Sequence, residues 1–251
     1  MKIKLSGVII TFNEEQKIKQ CIESLEPVCD EILVVDSFST DKTKEICETK
    51  NVKFVCNKFL GHIEQKNFAK NSAKYDHVIS LDADELLDEK AQKAILNIKE
   101  NWSYNGYYFN RLNNYCGQWI KYGSWYPDEK LRLFDRREGN WGGINPHDQF
   151  ILKTNDSKKK LAGLILHYTT ETKEEYKNQM EYFSKIAANA YFNENKKSSF
   201  LKIFIRPIFR FLRDYILKLG FLDGFAGYEV CKITAYGTYL KYNLLRKLNQ
   251  T

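Results

Sequence analysis

The feature that most limits the fold of this 251-residue chain is an alternation of short apolar runs and helical patterns across its first 82 residues. Strands are predicted at 5–12, 31–36, 52–56 and 77–81. Helices are predicted at 14–25, from Asp41 onward and at 63–74. Ser39 or Thr40 is expected to cap the helix that begins at Asp41. Because apolar strands separated by helices form parallel sheets covered on both faces, the pattern predicts an α/β protein.

Polar side chains follow three of these strands. They are Thr11 and Asn13, then Asp36, then Asp82 and Asp84. The carboxyl ends of parallel strands meet at one edge, where open α/β sheets bind ligands, so these side chains are expected to lie together. Carboxylates separated by one residue suit a Mg²⁺ or Mn²⁺ ion that holds a diphosphate. The alternative is that Asp84, Glu85 and Asp88 only form the acidic start of a helix.

The chain has no glycine-rich loop that could hold a phosphate. Its first strand-to-helix turn is Thr11–Glu15, and neither GxGxxG nor GxxxxGK[ST] occurs. A dinucleotide-binding dehydrogenase is therefore disfavoured. The phosphates of a bound nucleotide would need a metal ion instead.

Composition narrows the class of protein. With 43% apolar and 28% charged residues, the sequence is that of a globular protein. Its six cysteines form no CxxC pair, which indicates reduced thiols rather than zinc ligands or disulfides. No N-terminal signal is recognisable, and no apolar stretch reaches the roughly 20 residues that span a bilayer. A cytoplasmic protein is expected.

The basic excess of the chain lies at its C-terminal end. Residues 196–251 contain 11 Lys/Arg and 3 Asp/Glu, whereas the whole chain has a net charge of +7. After a helix predicted at 171–195, cations recur among large apolar residues at 200–218, which is typical of a helix lying in a membrane interface. No nucleic-acid partner is expected, because the apolar content is too high and no binding motif accompanies it. The alternative is that this segment only packs against the preceding part of the chain.

Four motifs occur in an order that resembles a known family. They are Ile9–Glu15, Ile32–Thr43, Gln65-Lys66-Asn67 and Leu81–Glu85. Together they resemble the family 2 nucleotide-sugar glycosyltransferases of GT-A fold, and within them the lipopolysaccharide-core branch typified by β-1,4-glucosyltransferases. The resemblance implies a Rossmann-like, mixed, mainly parallel sheet flanked by helices, with a C-terminal helical extension. Phe38 departs from the family, which usually has glycine there, so the turn after Asp36 is bulkier.

The resemblance also implies roles for individual residues. Those expected to bind the nucleotide-sugar are Thr11, Asn13, Glu14, Asp36, Lys66, Asp82 and Arg132. Among them, Asp82 would face the ribose or a metal-bound water, and Arg132 a diphosphate or acceptor phosphate. Asp84 would be the direct metal ligand. The simpler interpretations are a solvated acid for Glu14 and a surface lysine for Lys66.

A catalytic base is expected in the segment Gly142–Gln149. Inverting transfer needs one group to take the proton of the attacking acceptor hydroxyl, and Asp148 is the candidate. The resembling branch usually has His-Glu where this chain has His147-Asp148, one methylene shorter, and His147 is expected to orient the loop. A turn-forming Asp after Pro146 is the alternative for Asp148, and Asp128 is the rival base.

The remaining predictions concern the acceptor side and a histidine. Tyr104–Tyr115 and Trp119–Trp125 are rich in aromatic residues, which either stack on sugar faces or simply form core. His167 ends the strand-like run 163–168. It is either a second metal or diphosphate ligand, as the resemblance suggests, or a hydrogen-bonded core residue.

These expectations combine into one hypothesis. Residues 1–170 would form the catalytic domain, with a nucleotide-sugar half at 1–100 and an acceptor half at 101–170, and 171–251 a basic amphipathic helical extension. The enzyme would transfer a hexose, expected to be glucose from UDP-glucose, to a lipid-linked core oligosaccharide of lipopolysaccharide. It would act at the anionic cytoplasmic face of the inner membrane. The alternatives are an inactive sugar-nucleotide-binding or membrane-binding relative, and a nucleotidyltransferase.

Overall fold

The computed structural model describes residues 2–144, 147–154 and 157–250. Backbone contacts divide the chain into two compact units. The first contains Met1–Arg111 and Asp128–His167, and the second contains Leu112–Pro127 and Tyr168–Thr251. Residues 112–127, assigned from sequence to the acceptor half, thus group with the C-terminal helices. The functional division of the chain stays a prediction.

The first unit begins with a parallel sheet. Its strands are β1 (Leu5–Thr11), β2 (Glu31–Asp36), β3 (Lys53–Cys56) and β4 (His77–Asp82), in the order β3-β2-β1-β4. The helices between them are α1 (Ile18–Leu25), α2 (Thr43–Glu48) and α3 (His62–Ser72). All three strand pairings are parallel. This part of the fold is the one that the apolar runs predicted.

Further strands extend the sheet beyond β4. The elements that follow are β5 (Glu85–Leu87), α4 (Glu89–Glu100), β6 (Gly106–Tyr115), β7 (Gln118–Ile120), β8 (Asp128–Asp135), β9 (Gly139–Ile144), β10 (His147–Leu152) and β11 (Lys158–Thr170). The order continues β4-β8-β6-β11-β5, with antiparallel pairing of β4 to β8, β8 to β6 and β11 to β5. Strands β9 and β10 form a separate antiparallel pair. The predicted mixed α/β sheet flanked by helices is confirmed.

The alternation of side chains along β1 explains why both faces of the sheet are covered. Leu5 and Ile9 belong to one buried cluster, which includes residues of α1 and α4. Val8 and Ile10 belong to a second cluster, with Ala69 of α3 and residues of β9 and β10. Because successive strand residues point to opposite faces, a continuous apolar run supplies both cores.

Two local interpretations of the sequence are wrong, one a prediction and the other the alternative kept for the acids after β4. Helix α2 begins at Thr43 without a side-chain cap, because Ser39 and Thr40 instead hydrogen-bond within the loops that follow β1 and β2. The acids after β4 do not form one helix start either. Glu85 lies in β5, and only Asp88 caps a helix, accepting a hydrogen bond from the Ala91 amide at 2.7 Å.

The second unit consists mainly of helices. They are α5 (Lys173–Asn193), α6 (Phe200–Leu212), a π-helical turn (Arg213–Leu217), a 3-10 turn (Gly220–Asp223) and α7 (Gly224–Leu248). Both α5 and α6 pack against α7, and β7 pairs with the end of β6. The predicted C-terminal helical extension is therefore present. In the described part of the chain, no helix combines the length and the apolar character needed to cross a membrane.

Candidate active site

The carboxyl ends of β1, β2 and β4 bring the predicted polar residues to one edge of the sheet. Thr11 lies in register with Asp36, and Ile10 in register with Asp82. The Ala83 amide donates to the Ile10 carbonyl at 3.2 Å, which continues the pairing past the end of β4. Thr11 and Asp36 are both buried.

The loops that follow β1 and β2 are hydrogen-bonded to each other. The Asn13 amide donates to Ser39 Oγ at 2.8 Å, and the Thr40 amide donates to Asn13 Oδ1 at 2.8 Å. Asp36 in turn accepts hydrogen bonds from the amide and the hydroxyl of Ser39. The Glu14 amide donates to Thr43 Oγ1 at 2.9 Å. Asp36 and Asn13 therefore fix the shape of these loops whether or not they also touch a ligand.

Lys66 joins the candidate base to the acids after β4. Its Nζ lies 2.8 Å from Asp148 Oδ2 and 3.0 Å from Asp82 Oδ1. The side chain of Lys66 is only 3% exposed, so its interpretation as a surface lysine is wrong. Arg132 approaches Asp82 from β8, with Nη2 2.9 Å from Asp82 Oδ2. Helix α3 and strands β4, β8 and β10 thus bring four of the predicted residues into one charged cluster.

The cluster continues through two residues that the sequence did not single out for this role. Arg132 Nη2 also lies 2.7 Å from Glu85 Oε1, which is fully buried, and Arg111 Nη1 lies 2.9 Å from the same oxygen. Arg111 then binds Asp128 at 2.9 Å. Acids and bases alternate without a break from Asp148 to Asp128, so the candidate base and its rival lie at opposite ends of one chain of ion pairs. The alternating pattern around Arg111 was visible in the sequence, but the contact of Arg111 with Glu85 was not.

The ion pairs of this cluster shift the pKa values of several of its residues. Burial alone would raise the pKa of Asp82, but the charges of Lys66 and Arg132 outweigh it and hold that pKa well below its usual range. Burial works against the charged form of Arg132 too, yet Glu85 and Asp82 raise the pKa of the guanidinium. Burial would likewise raise the pKa of Asp128, and Arg111 and Lys130 lower it. These neighbouring charges therefore favour the ionised forms of Asp82, Arg132 and Asp128.

Trp141 forms an aromatic wall beside the two cations. Lys66 Nζ lies 4.8 Å and the Arg132 guanidinium carbon 5.4 Å from the centre of its ring. The amide side chain of Asn67 holds the backbone of Trp141 through two hydrogen bonds of 2.9 and 3.0 Å. A cation over an aromatic face is attracted by the ring quadrupole, so Trp141 supports the position of Lys66. No role was predicted for this tryptophan, although it directly precedes the Gly142-Gly143 pair.

Asp84 and His167 form a second pair. His167 Nε2 lies 3.1 Å from Asp84 Oδ2, and β11 places His167 in register with Glu85 of β5. Burial would raise the pKa of Asp84, but the neighbouring His167 lowers it. Within the described residues no group of three or more His, Cys, Asp or Glu side chains is arranged to hold a metal ion. A carboxylate with one nitrogen donor still fits an ion that completes its coordination with phosphate and water.

Other predicted residues lie in the core or outside the described chain. Tyr107, Phe109 and Tyr115 of the aromatic middle segment are buried, so the core interpretation holds for these three. Asn145 and Pro146, and the side chain of His147, lie outside the described part of the structure. The orienting role predicted for His147 stays a prediction.

Comparison with known proteins identifies the family. The profile of "Glycosyl transferase family 2" matches residues 6–159. An uncharacterized glycosyltransferase of Rickettsia typhi is 31% identical over 98% of this chain and 88% of its own length. The chain belongs to glycosyltransferase family 2, which confirms the resemblance of its motifs.

Two further proteins with more specific names are also similar. The lipopolysaccharide core biosynthesis glycosyltransferase LpsC of Rhizobium meliloti is 26% identical over 99% of this chain and 96% of its own length. Among solved structures, TarS 1–349 of S. aureus in complex with UDP-GlcNAc is 14% identical, with a TM-score of 0.48 over 96% of this chain and 92% of that one.

Proposed function

We propose that the protein is a metal-dependent, inverting hexosyltransferase that acts on a lipid-linked core oligosaccharide of lipopolysaccharide. The observation that carries this proposal is the position of Asp148. Its carboxylate is joined through Lys66 to Asp82, which a single residue separates from Asp84. A proton acceptor and the candidate diphosphate-binding acids thus share one site, as transfer from a nucleotide-sugar requires.

The donor is proposed to bind at the edge formed by β1, β2 and β4. Residues Thr11, Asn13, Glu14 and Asp36 would surround the base and ribose, and Asp82 would face the ribose or a metal-bound water. Arg132 and Lys66 supply positive charge beside Asp82. UDP-glucose is the donor proposed from the sequence motifs.

Asp84 and His167 would hold a Mg²⁺ or Mn²⁺ ion, which would neutralise the charge that develops on the departing nucleoside diphosphate. The protein itself must then supply the base. Asp148 Oδ2 would take the proton of the acceptor hydroxyl as that oxygen attacks the anomeric carbon. Lys66, which donates a hydrogen bond to the same oxygen, would hold Asp148 in position and must yield that hydrogen bond when the acceptor arrives.

The acceptor proposal comes from the name of LpsC, which matches along nearly the whole chain. Such an acceptor remains anchored to lipid, so the enzyme is proposed to work at the cytoplasmic face of the inner membrane. The middle segment 101–170 would contribute the acceptor side of the site.

The test compares two variants within the same ion-pair cluster. Nucleotide-sugars are screened for hydrolysis and transfer with Mn²⁺ or Mg²⁺, and Asp148→Asn is set beside Asp128→Asn. We expect Asp148→Asn to keep donor affinity and lose at least a hundredfold in turnover, whereas Asp128→Asn keeps most of its activity. The reverse result would make Asp128 the base.

Two other outcomes would reject the proposal. Tight UDP binding without any turnover of the wild-type protein would indicate a binding protein derived from this family. Release of pyrophosphate instead of a nucleoside diphosphate would indicate a nucleotidyltransferase.

A further inference from the structure

The segment Phe200–Phe225 exposes an unusual amount of apolar surface. It makes up about a tenth of the chain, yet more than half of the large apolar side chains that are exposed among the described residues lie in it. Leu201 is 67%, Ile208 60%, Leu217 73% and Phe225 74% exposed. Soluble monomeric proteins rarely expose an apolar patch of this kind unless it binds another protein, a ligand or a membrane.

The exposed side chains of α6 are arranged in rows. Phe200, Phe204, Ile208 and Leu212 recur at every fourth position, and all are exposed. Residues four apart lie on one face of a helix, so these side chains form a continuous apolar stripe. In the same helix only Ile203 is a buried apolar residue. Helix α6 thus presents its broad apolar face outward.

Charge on this segment has a single sign at the surface. Lys202, Arg206 and Lys218 are exposed. The two acids between Phe200 and Phe225, all of which the structure describes, are Asp214 and Asp223, and both are buried.

Both acids are already used inside the fold. Asp214 accepts hydrogen bonds from Arg210 and Arg213, and Asp223 accepts from the backbone amides of Lys121 and Tyr122. The exposed charge is therefore purely cationic, which complements a negatively charged partner.

The length of α6 decides whether this helix could cross a bilayer or only lie on its surface. With 13 residues, α6 is about 20 Å long, shorter than the roughly 30 Å of hydrocarbon in a bilayer. The segment then turns at Arg213–Leu217 and Gly220–Asp223 before α7. Aromatic contacts of Phe211 with Tyr215 and Tyr228 hold the helix and the turns onto α7. The exposed surface is therefore one folded element, formed by α6, the two turns and the first residues of α7.

We propose that Phe200–Phe225 is a membrane-binding surface whose partner is the interface of a bilayer containing anionic phospholipid. The apolar side chains enter the boundary between headgroups and acyl chains, while Lys202, Arg206 and Lys218 remain at the level of the lipid phosphates. This inference goes beyond the proposed reaction, because it depends on neither the donor nor the acceptor.

The test is cosedimentation of the full-length protein with vesicles of phosphatidylglycerol and phosphatidylcholine, with pure phosphatidylcholine in parallel. We expect binding to the anionic vesicles and at least tenfold weaker binding to the neutral ones. Ile208→Glu should weaken binding to anionic vesicles at least tenfold. Tyr182→Glu is the matched control, because Tyr182 of α5 is 61% exposed and Ile208 is 60% exposed. Tyr182 lies outside the segment Phe200–Phe225. The Tyr182→Glu variant should therefore bind anionic vesicles as tightly as the wild type.

A second variant tests the charge. Arg206→Gln should weaken anionic binding about fivefold and leave the weak neutral binding unchanged. The melting temperatures of all variants show whether the fold is intact.

Three results would overturn the proposal. The first is failure of the wild type to bind anionic vesicles, and the second is equal binding by wild type and Ile208→Glu. The third is a lipid-free oligomer that Ile208→Glu dissociates, measured by light scattering, which would make the surface an interface between copies of the chain.

Discussion

Lys66 Nζ lies 2.8 Å from Asp148 Oδ2, and the two side chains are 3% and 8% exposed. The same ammonium lies 3.0 Å from Asp82 Oδ1. One cation thus balances two carboxylates that belong to strands more than sixty residues apart. Its loss would leave negative charge in a site with little access to water.

Replacing this lysine should therefore be costly. In Lys66→Met, Asp82 keeps Arg132 but Asp148 loses its cation, and breaking a buried ion pair costs about 3 kcal/mol of unfolding free energy. Chemical denaturation of wild type and Lys66→Met measures this loss of unfolding free energy. Lys160→Met removes a surface pair with Glu129 and should cost less than about 1 kcal/mol. Equal losses in the two variants would mean that the buried bridge contributes no more than a surface pair.

Metal binding should depend on Asp84. A divalent cation that binds only the folded state at a hundred times its dissociation constant stabilises it by about 2.7 kcal/mol, so Mn²⁺ should raise the melting temperature of the wild type. Asp84→Asn should abolish most of this rise. Asp88→Asn, four residues away at the helix cap, should retain it, since asparagine also caps helices. An undiminished response in Asp84→Asn would place the ion elsewhere.

Phe38 offers a substitution that should stabilise the protein. Its φ of 65° is in the left-handed region, which costs a residue with a Cβ about 1–2 kcal/mol. Glycine removes this strain but loses about 0.5–1 kcal/mol of chain entropy, so Phe38→Gly should gain about 0.5–1 kcal/mol.

Phe12 is the matched control for this substitution. It is 56% exposed, close to the 59% of Phe38, and has no positive φ. Phe12→Gly should therefore lose stability, and urea titration of both variants measures the two changes. A loss in both variants would show that the ring of Phe38 contributes more than its backbone costs.

His77 should make stability sensitive to mild acid. It begins β4 with its ring edge-on to Trp102 at 4.3 Å, and burial lowers its pKa. In the unfolded chain the pKa of His77 is about 6.5. Below this pH the unfolded chain binds a proton at His77, whereas the folded chain, with its lower pKa, does not yet do so. The free energy of unfolding therefore falls as the pH drops from about 6.5 towards the folded pKa. The slope from one such group is at most about 1.4 kcal/mol per pH unit.

His77→Gln cannot take up this proton. The difference in unfolding free energy between wild type and variant, measured at pH 7.5, 6.5 and 5.5, should change in favour of the variant as the pH falls. A constant difference would mean that His77 does not couple folding to protons in this range.

The sequence predicted those parts of the protein that depend on neighbours along the chain. The apolar runs of β1, β2 and β4 alternate with helices, and their polar ends meet at one edge because parallel strands all run the same way. The family resemblance supplied Asp148 and Lys66 as separate candidates. Their contact could not be read from the sequence, because it depends on how β10 approaches α3.

The parts that were missed depend on pairing between distant strands. A helix start was the alternative for Glu85, since acids are common there, but pairing with β11 draws it into the sheet as β5. Once buried, it needs cations, and β6 and β8 supply Arg111 and Arg132. No local pattern marks such partners, because each strand alone is compatible with several neighbours.

The linked loops after β1 and β2 have a consequence for hydrogen exchange. Backbone amides in loops usually exchange quickly with solvent, but here side-chain oxygens take the place of a strand partner. The amides bound in this way are those of Asn13, Glu14, Glu15, Ser39, Thr40, Lys42 and Thr43. In deuterium labelling the two loops should therefore exchange slowly and together, as a single cooperative unit. We therefore expect the edge that is proposed to receive the nucleotide to be rigid before any ligand binds.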